Sequence, residues 1–548
     1  MPFRQRKISG KYEGGIMLDR RGHTREIRML MKKSLPLLVL CLICSLPLRA
    51  VDTGALSGQD QQSATPQGSS SQQTSSSASA GSDTVAVAPA SASHYSAVSE
   101  NANSSSATVA STPPATPSTP PQSTAAGAGW TPATEINSWL PHWLKLSGEF
   151  RDRVEGHTAY GFKPGTDDQF DLTRVRLGLD FTPSSWFHAF VQARDAEVLG
   201  AENPAYTTNN MKDVFDLSQA FVEFRNAENG WFSLKAGRQE LYFGDERLLG
   251  RSYWSNASRD WDAVRLSLGN DEIGRHLGAR LDLFAGTVVK NYATSWDTPQ
   301  SGRNLYGFNL ALTKIVPKAT IEPYVYMKTV PSVTGADKIN GNERLYTSGL
   351  RFAGTVPGGF DYRLRYSRQT GHAADNTIHA WAGYGIIGYT IPGTRYQPRF
   401  SFEYNYASGN KAIGSSRVGT FDLLYPTTHQ WDRITDLFGE ENIRDLKPGF
   451  DFRPVPKLKV RFVYSDLHLA SKYDSLYDTS GAVLVKVPKG GALSTQIGNE
   501  ADIYGTYEVN KRLQFGAGFG HLIAGDYLKQ NTPGGNASYP YAFMDYYF

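Results

Sequence analysis

The chain predicts an all-β fold, a transmembrane antiparallel β-barrel of about 18 strands behind a disordered N-terminal leader. Three observations carry this. From residue 143 onward, hydrophobicity alternates with a period of two, and the helical spacing i, i+3, i+4, i+7 is nowhere sustained after the first 50 residues. The connections alternate between tight turns and long loops. The last segment, "YPYAFMDYYF", ends the chain on Phe548 with Met544 and Tyr546 on the same face.

Residues 1–50 read as a signal region. "MKKSLPLLVLCLICSLPLRA" (31–50) sets two lysines before a short apolar run and ends on a small residue, Ala50. That is the layout of a Sec-type secretory signal, too short to span a bilayer. Met31 is the expected true start and cleavage is expected near Ala50, with Leu48 a bulky exception where a small side chain is preferred. Both cysteines, Cys41 and Cys44, fall inside this region. The mature chain is then expected to contain no disulfide, zinc–thiolate site or cysteine nucleophile. Processing also removes 11 Lys/Arg and 3 Asp/Glu, which takes the net charge from +4 to −4. The basic character belongs to the discarded end and gives no argument for nucleic acid.

Residues 51–129 are Ser, Thr, Ala, Gln and Pro with few large apolar groups ("SSSQQTSSSASAGS", "STPPATPSTPP"). Such a segment cannot bury enough apolar surface to offset its ordering entropy, and reads as a disordered tether. Residues 130–548 form the barrel.

Within the barrel, "LKLSGEFRDRVE", "FSLKAGRQELYF", "ARLDLFAGTVV", "FDYRLRYSRQ" and "PRFSFEYNYA" are representative strands. Short turns follow Phe181 and lie at 226–230, 270–277, 316–319, 356–359, 392–395, 455–457 and 510–512. Longer loops lie near 156–168, 200–216, 244–260, 290–302, 330–343, 409–442, 470–499 and 524–540, and a short connection at 371–378 joins that set. Sorting turns to one end and loops to the other is the organisation of an outer-membrane barrel, with both termini on the short-turn side. A barrel of roughly 16–18 strands leaves room for an aqueous channel.

The stretch "RVRLGLDF" (174–181) shows the logic of the wall. Val175, Leu177, Leu179 and Phe181 face lipid, and Arg174, Arg176 and Asp180 face the lumen. A one-residue slip would place both arginines in hydrocarbon at about 2–4 kcal/mol each near the midplane. The same pattern places Lys145, Glu149, Arg151 and Arg153 inside on the first strand, Arg238 and Glu240 on the fifth, and Arg265 on the sixth. Arg280 and Asp282 follow on the seventh, Arg363 and Arg365 on the eleventh, Arg399 and Glu403 on the thirteenth, and Lys459 and Arg461 on the fifteenth. Two meanings stand open for this set. It is either an ion-pair ladder bracing the wall or a selectivity path along which arginines lower the barrier for an anion. Guanidinium suits carboxylate because its planar fork binds it bidentately.

"GRQELYFGDERLLGRSYWSNASRDWDAVRL" (237–266), "FEYNYASGNKAIGSSRVGTFDLLYPTTHQWDRITDLFGEENIRDL" (402–446) and "LHLASKYDSLYDTSG" (467–481) resemble the alginate export family of outer-membrane barrels. The resemblance covers roughly 143–548. It implies an 18-stranded barrel whose arginine-lined pore conducts a polyuronate such as alginate out of the cell. Carried onto this chain, the motif positions are Arg238 with Glu240, suited to a lumen ion pair, and Asp245 with Arg247 at the extracellular rim. Arg259 with Asp262, Tyr406, Gly409, Asn410 and His429 complete them. Asp245 and Arg247 serve either the pore or the loop that carries them. The loops 409–442 and 470–499 are long enough to fold over the pore.

"GYGIIG" (383–388) matches a dinucleotide fingerprint only literally, since no helix follows it. The histidines show no metal-ligand spacing, and His429 is expected to be a loop hydrogen-bonder. No nucleophile motif supports an enzyme, and no cofactor or metal is expected. The expected protein is a monomeric outer-membrane channel for an acidic polysaccharide, with outer-membrane lipid around it and periplasmic export components as candidate partners. A less selective porin for small anions or sugars is the alternative within the class. A barrel enzyme and a surface adhesin are the alternatives outside it.

Overall fold

The computed structural model describes residues 131–227, 230–269, 278–335, 338–429 and 433–548. The signal region with Met31 and Ala50, the segment 51–129, Trp130 and the turn at 270–277 lie outside the described residues.

Helix α1 (Pro132–Trp139) opens the described chain. Thr131 caps it by accepting from the Thr134 N–H, and Pro132 sits in its first turn. Asn137 then grips the backbone of Leu146 with both amide atoms, at 2.7 and 2.8 Å, which ties the helix to the foot of the first strand.

The strands follow in order. The first six are β1 (Leu144–His157), β2 (Asp168–Ser184), β3 (Phe187–Leu199), β4 (Asp213–Arg225), β5 (Phe232–Gln239) and β6 (Trp261–Leu268). The middle six are β7 (Ala279–Lys290), β8 (Thr298–Leu312), β9 (Ala319–Thr334), β10 (Asn340–Val356), β11 (Phe360–Ala373) and β12 (Asn376–Thr390). The last six are β13 (Arg399–Ala407), β14 (Ile443–Val455), β15 (Leu458–Leu469), β16 (Gln496–Glu508), β17 (Leu513–Ala524) and β18 (Ala537–Tyr547). Each pairs antiparallel with the next, and β18 closes on β1 with Asp545 opposite Arg151. The result is a closed 18-strand antiparallel barrel.

The turns sort as expected. Residues 185–186, 357–359 and 456–457 are tight, whereas 240–260, 408–442 and 470–495 are long and lie at the other end. The short exception is a two-residue turn at 374–375, with Ala374 at φ 51°. The connections expected at 290–302 and 330–343 contract to 291–297 and 335–339. Pairing continues to Lys290–Thr298 and Asn340–Thr334, so the strands run further toward the long-loop end than the sequence suggested.

Alternation is obeyed on β2: Leu177 and Leu179 are 44% and 42% exposed on the outer face, while Arg174 and Arg176 are buried on the inner one. Inner-face packing is tight where β17 meets β18. A Cβ at Gly516 would lie 2.2 Å from the Phe543 ring and one at Gly518 2.5 Å from Tyr541, so the glycines give those rings a floor. At the long-loop end the loops pack on inward-facing strand residues. Phe421, Phe438, Leu476 and Leu528 are fully buried and share one apolar cluster with Leu305, Ala382, Ala407 and Ile497. The loops 408–442 and 470–495 therefore do fold in against the wall.

Candidate functional site

A third loop, 240–260, does more than the sequence suggested. It runs beside the loop 408–442 as a parallel seam: Leu249 bridges Tyr425, the Gly250 N–H donates to the Tyr425 carbonyl at 2.8 Å, and Thr427 N–H donates to the Glu246 carbonyl at 2.8 Å. Gly250 is required by this approach, because a Cβ there would sit 2.2 Å from the Thr427 Oγ1. Arg259 clamps the seam by donating to the carbonyls of Tyr425 and Pro426 at 2.6 and 3.0 Å.

Beyond the seam, Tyr253 and Trp254 press onto the arginines of β1 and β2. The guanidinium groups of Arg151, Arg174 and Arg176 lie 4.7, 4.6 and 4.8 Å from the Tyr253 ring, and that of Arg153 lies 4.0 Å from Trp254. The Tyr253 hydroxyl donates to Glu149, which also pairs with Arg174. Arg151 bonds Asp545 at 2.5 Å and Arg153 bonds Glu155 at 2.6 Å. Loop carbonyls accept the outer N–H groups: Tyr253 from Arg151 and Arg174, Trp254 from Arg153, Ser255 from Arg174. The arginines that alternation placed in the lumen do face inward, but the loop covers them.

A second knot lies across the barrel. Asp245 and Arg247 are not at the rim; the loop carries them in to strand residues well inside the wall. Arg247 bonds Glu403 on β13 at 2.7 Å and Glu440 at 3.2 Å, and Asp245 meets Arg351 on β10 and the Tyr384 hydroxyl on β12. Glu440 also receives Arg365 at 2.9 Å. Burial would raise the Asp245 carboxyl, but Arg351, Arg247 and Arg365 hold it down at about 2.

Arg238 departs from expectation. The inward residues of β5 are Lys235 and Gln239, and Lys235 stands opposite Arg265 and Glu223, all buried. Arg238 is on the other face, bonded to Asp262 at 2.9 Å near the long-loop end. It therefore makes no ion pair with Glu240, which instead approaches Arg176 at 4.0 Å. The apolar run Leu234, Ala236 already carries this parity.

The remaining residues fall into two groups. Arg265 bonds Asp282 at 2.9 Å with Arg280 on the other oxygen, and Asp180 bonds His188. Asn410 ties two loops through Asp474, and the His429 ring stacks on Trp254 at 4.9 Å with Nδ1 3.1 Å from Asp436. Near the short-turn end the cations are more open. Arg399 is 21% exposed between Asp361 and Asp451, and Arg461 is 29% exposed beside the same Asp451. Arg363 and Lys459 stand half-buried on the same inner face.

Arg194 gathers carboxylates where the loops 240–260 and 291–297 meet the start of β4. It bonds Asp213 at 2.5 Å, Asp260 at 2.8 Å and Asp297 at 3.4 Å, while Asp216 accepts from the Asp297 N–H. Burial, reinforced by Asp213, pushes the loop carboxyl of Asp297 up to about 7; burial also lifts Asp260 to about 6 against the pull of Arg194. A raised carboxyl holds its proton in the packed loop and loses it in the open one. The packing is therefore strongest at the ordinary carboxylate pKa of about 4 or below and weakens as pH rises through about 7. Amides of 255–260 and 291–297 should exchange faster at pH 8 than at pH 5 after correction for the intrinsic rate; equal protection would refute the linkage.

Residues 142–542 match the family model described as alginate export. No curated protein matches the chain. Among solved structures, OccAB4 of Acinetobacter baumannii superposes with a TM-score of 0.50 at 11% identity, covering 74% of this chain and 98% of its own. OpdQ and OccD3 of Pseudomonas aeruginosa each give 0.49, at 13% and 12% identity, over 75% of this chain and 99% and 92% of theirs. At such identities the likeness to OccAB4 concerns the fold.

Proposed function

We propose, because this chain belongs to the alginate export family, that its outer-membrane channel carries an acidic polysaccharide of the polyuronate kind outward. The observation behind this reading is the open cation set on β11, β13 and β15: Arg363, Arg399, Lys459 and Arg461, at the short-turn end. That end faces the periplasm in outer-membrane barrels. A polymer arriving from that side would meet guanidinium groups that already share carboxylates, Asp361 and Asp451. Exchange of one carboxylate for another costs less than dehydrating a bare charge, so a uronate could displace Asp451 from Arg461 and move on. The covered residues Arg153, Arg174, Arg176 and Arg365 would then set the field of the lumen without touching the cargo. The channel acts as a monomer in this reading, supplied by periplasmic export components.

The second reading is a less selective porin, favoured by the ion pairing of the mid-lumen arginines. Single-channel current in a planar bilayer under a salt gradient separates the two. An anion-selective current blocked by uronate oligomers and not by neutral ones is expected. Arg399→Ala with Arg461→Ala should weaken that block several-fold. A current indifferent to both sugars would leave the porin.

A further inference from the structure

The outer face of the wall is electrically lopsided at the long-loop end. On β10, β11 and β14, Arg344, Arg368 and Arg444 alternate with the buried inward residues Leu345, Gln369 and Asp445, so they point away from the lumen. Arg417 joins them: residues 417–418 run parallel to the start of β12, with Arg417 beside the outward Thr377. Register brings histidines in as well, with Arg344 opposite His372 and Arg444 opposite His468, the latter paired with the outward Asp466 at 3.2 Å, the carboxylate this arc holds beside its arginines. Arg344, Arg368 and Arg417 are exposed, and the buried Nε of Arg444 has no hydrogen-bond partner. Among the described residues none of the four arginines forms an ion pair. Below them the surface turns aromatic. Arg368 stands opposite Trp381, whose ring stacks on Tyr406 at 4.3 Å, and Phe402 and Tyr404 continue the apolar band.

The opposite arc carries the other sign. Asp152, Asp171 and Asp195 face outward at the same end of β1, β2 and β3, in register with the lipid-facing side of those strands. Asp466 on the first arc and Lys212, paired with Glu197, on the second are minority charges, and a general interfacial enrichment of basic residues would not produce one mainly basic and one mainly acidic arc.

We propose that the arc from β10 to β15 binds the phosphate groups of an outer-leaflet glycolipid. Unpaired guanidinium groups at the edge of hydrocarbon need anions, and their planar forks suit phosphate oxygens. The aromatic shelf beneath lies at headgroup level, where Trp and Tyr rings are favoured. The long-loop end faces outward from the cell, which selects the outer leaflet.

The test uses the full chain purified in detergent, with native mass spectrometry of bound lipid A, dephosphorylated lipid A and phosphatidylglycerol. Lipid A should be retained most tightly. Arg368→Gln with Arg444→Gln should weaken its binding about thirtyfold, with Asp171→Asn unchanged as a control on the acidic arc. Equal retention of phosphatidylglycerol or of the dephosphorylated form would overturn the proposal, as would a double variant that binds like the parent. Should the double variant not fold, the three-lipid comparison on the parent chain decides alone.

Discussion

Arg174→Ala is expected to destabilise the barrel by about 3–5 kcal/mol, the range for breaking one side of a buried ion pair. Arg174 is fully buried, and its guanidinium serves Glu149 together with the carbonyls of Tyr253 and Ser255. Its loss leaves Glu149 with the Tyr253 hydroxyl and with Arg176 at 3.6 Å, and takes one of two donors from each loop carbonyl, Arg151 remaining on Tyr253 and the Ser258 N–H on Ser255. Arg399→Ala makes the contrast. That guanidinium is 21% exposed to the lumen, and an exposed pair is worth roughly 0–1 kcal/mol. Urea unfolding in micelles, read by heat-modifiable gel migration, compares the two. A cost for Arg174→Ala no larger than for Arg399→Ala would mean that the loop does not seal this wall.

Replacing residues 246–258 with a short Gly/Ser linker should have the largest effect on conduction. The segment holds Tyr253 and Trp254 against four guanidinium groups and zips to 425–427, so its removal opens the lumen and bares Arg151, Arg153, Arg174 and Arg176. Single-channel conductance should rise several-fold and anion selectivity should rise with it. Unchanged conductance would place the constriction elsewhere. A rise in conductance with no gain in selectivity would show that carboxylates such as Glu149 and Asp545 neutralise the arginines even when uncovered.

Strand number, strand direction and most inward and outward assignments were legible in the chain, because a period of two can bury one face only one way. β2 shows this: Leu177 and Leu179 fix Arg174 and Arg176 inside. The same rule, applied to Leu234 and Ala236, puts Lys235 inside and Arg238 outside; counting Arg238 among the inward residues set it against the parity of its own strand. A signal for the inserted loop was present too. "RSYWSNASRD" (251–260) packs aromatic and small residues between charges, unlike a solvated loop.

Ion-pair partners were not legible. Arg151 finds Asp545 because β18 closes on β1, nearly four hundred positions along the chain, and Arg247 finds Glu403 because a loop crosses the lumen. Local alternation determines which face a charge occupies, since that choice concerns only water and lipid. Which opposite charge it meets, and whether a backbone carbonyl takes the last N–H, depends on the register of all the strands and on the loops laid inside them. That arrangement exists only in the closed barrel.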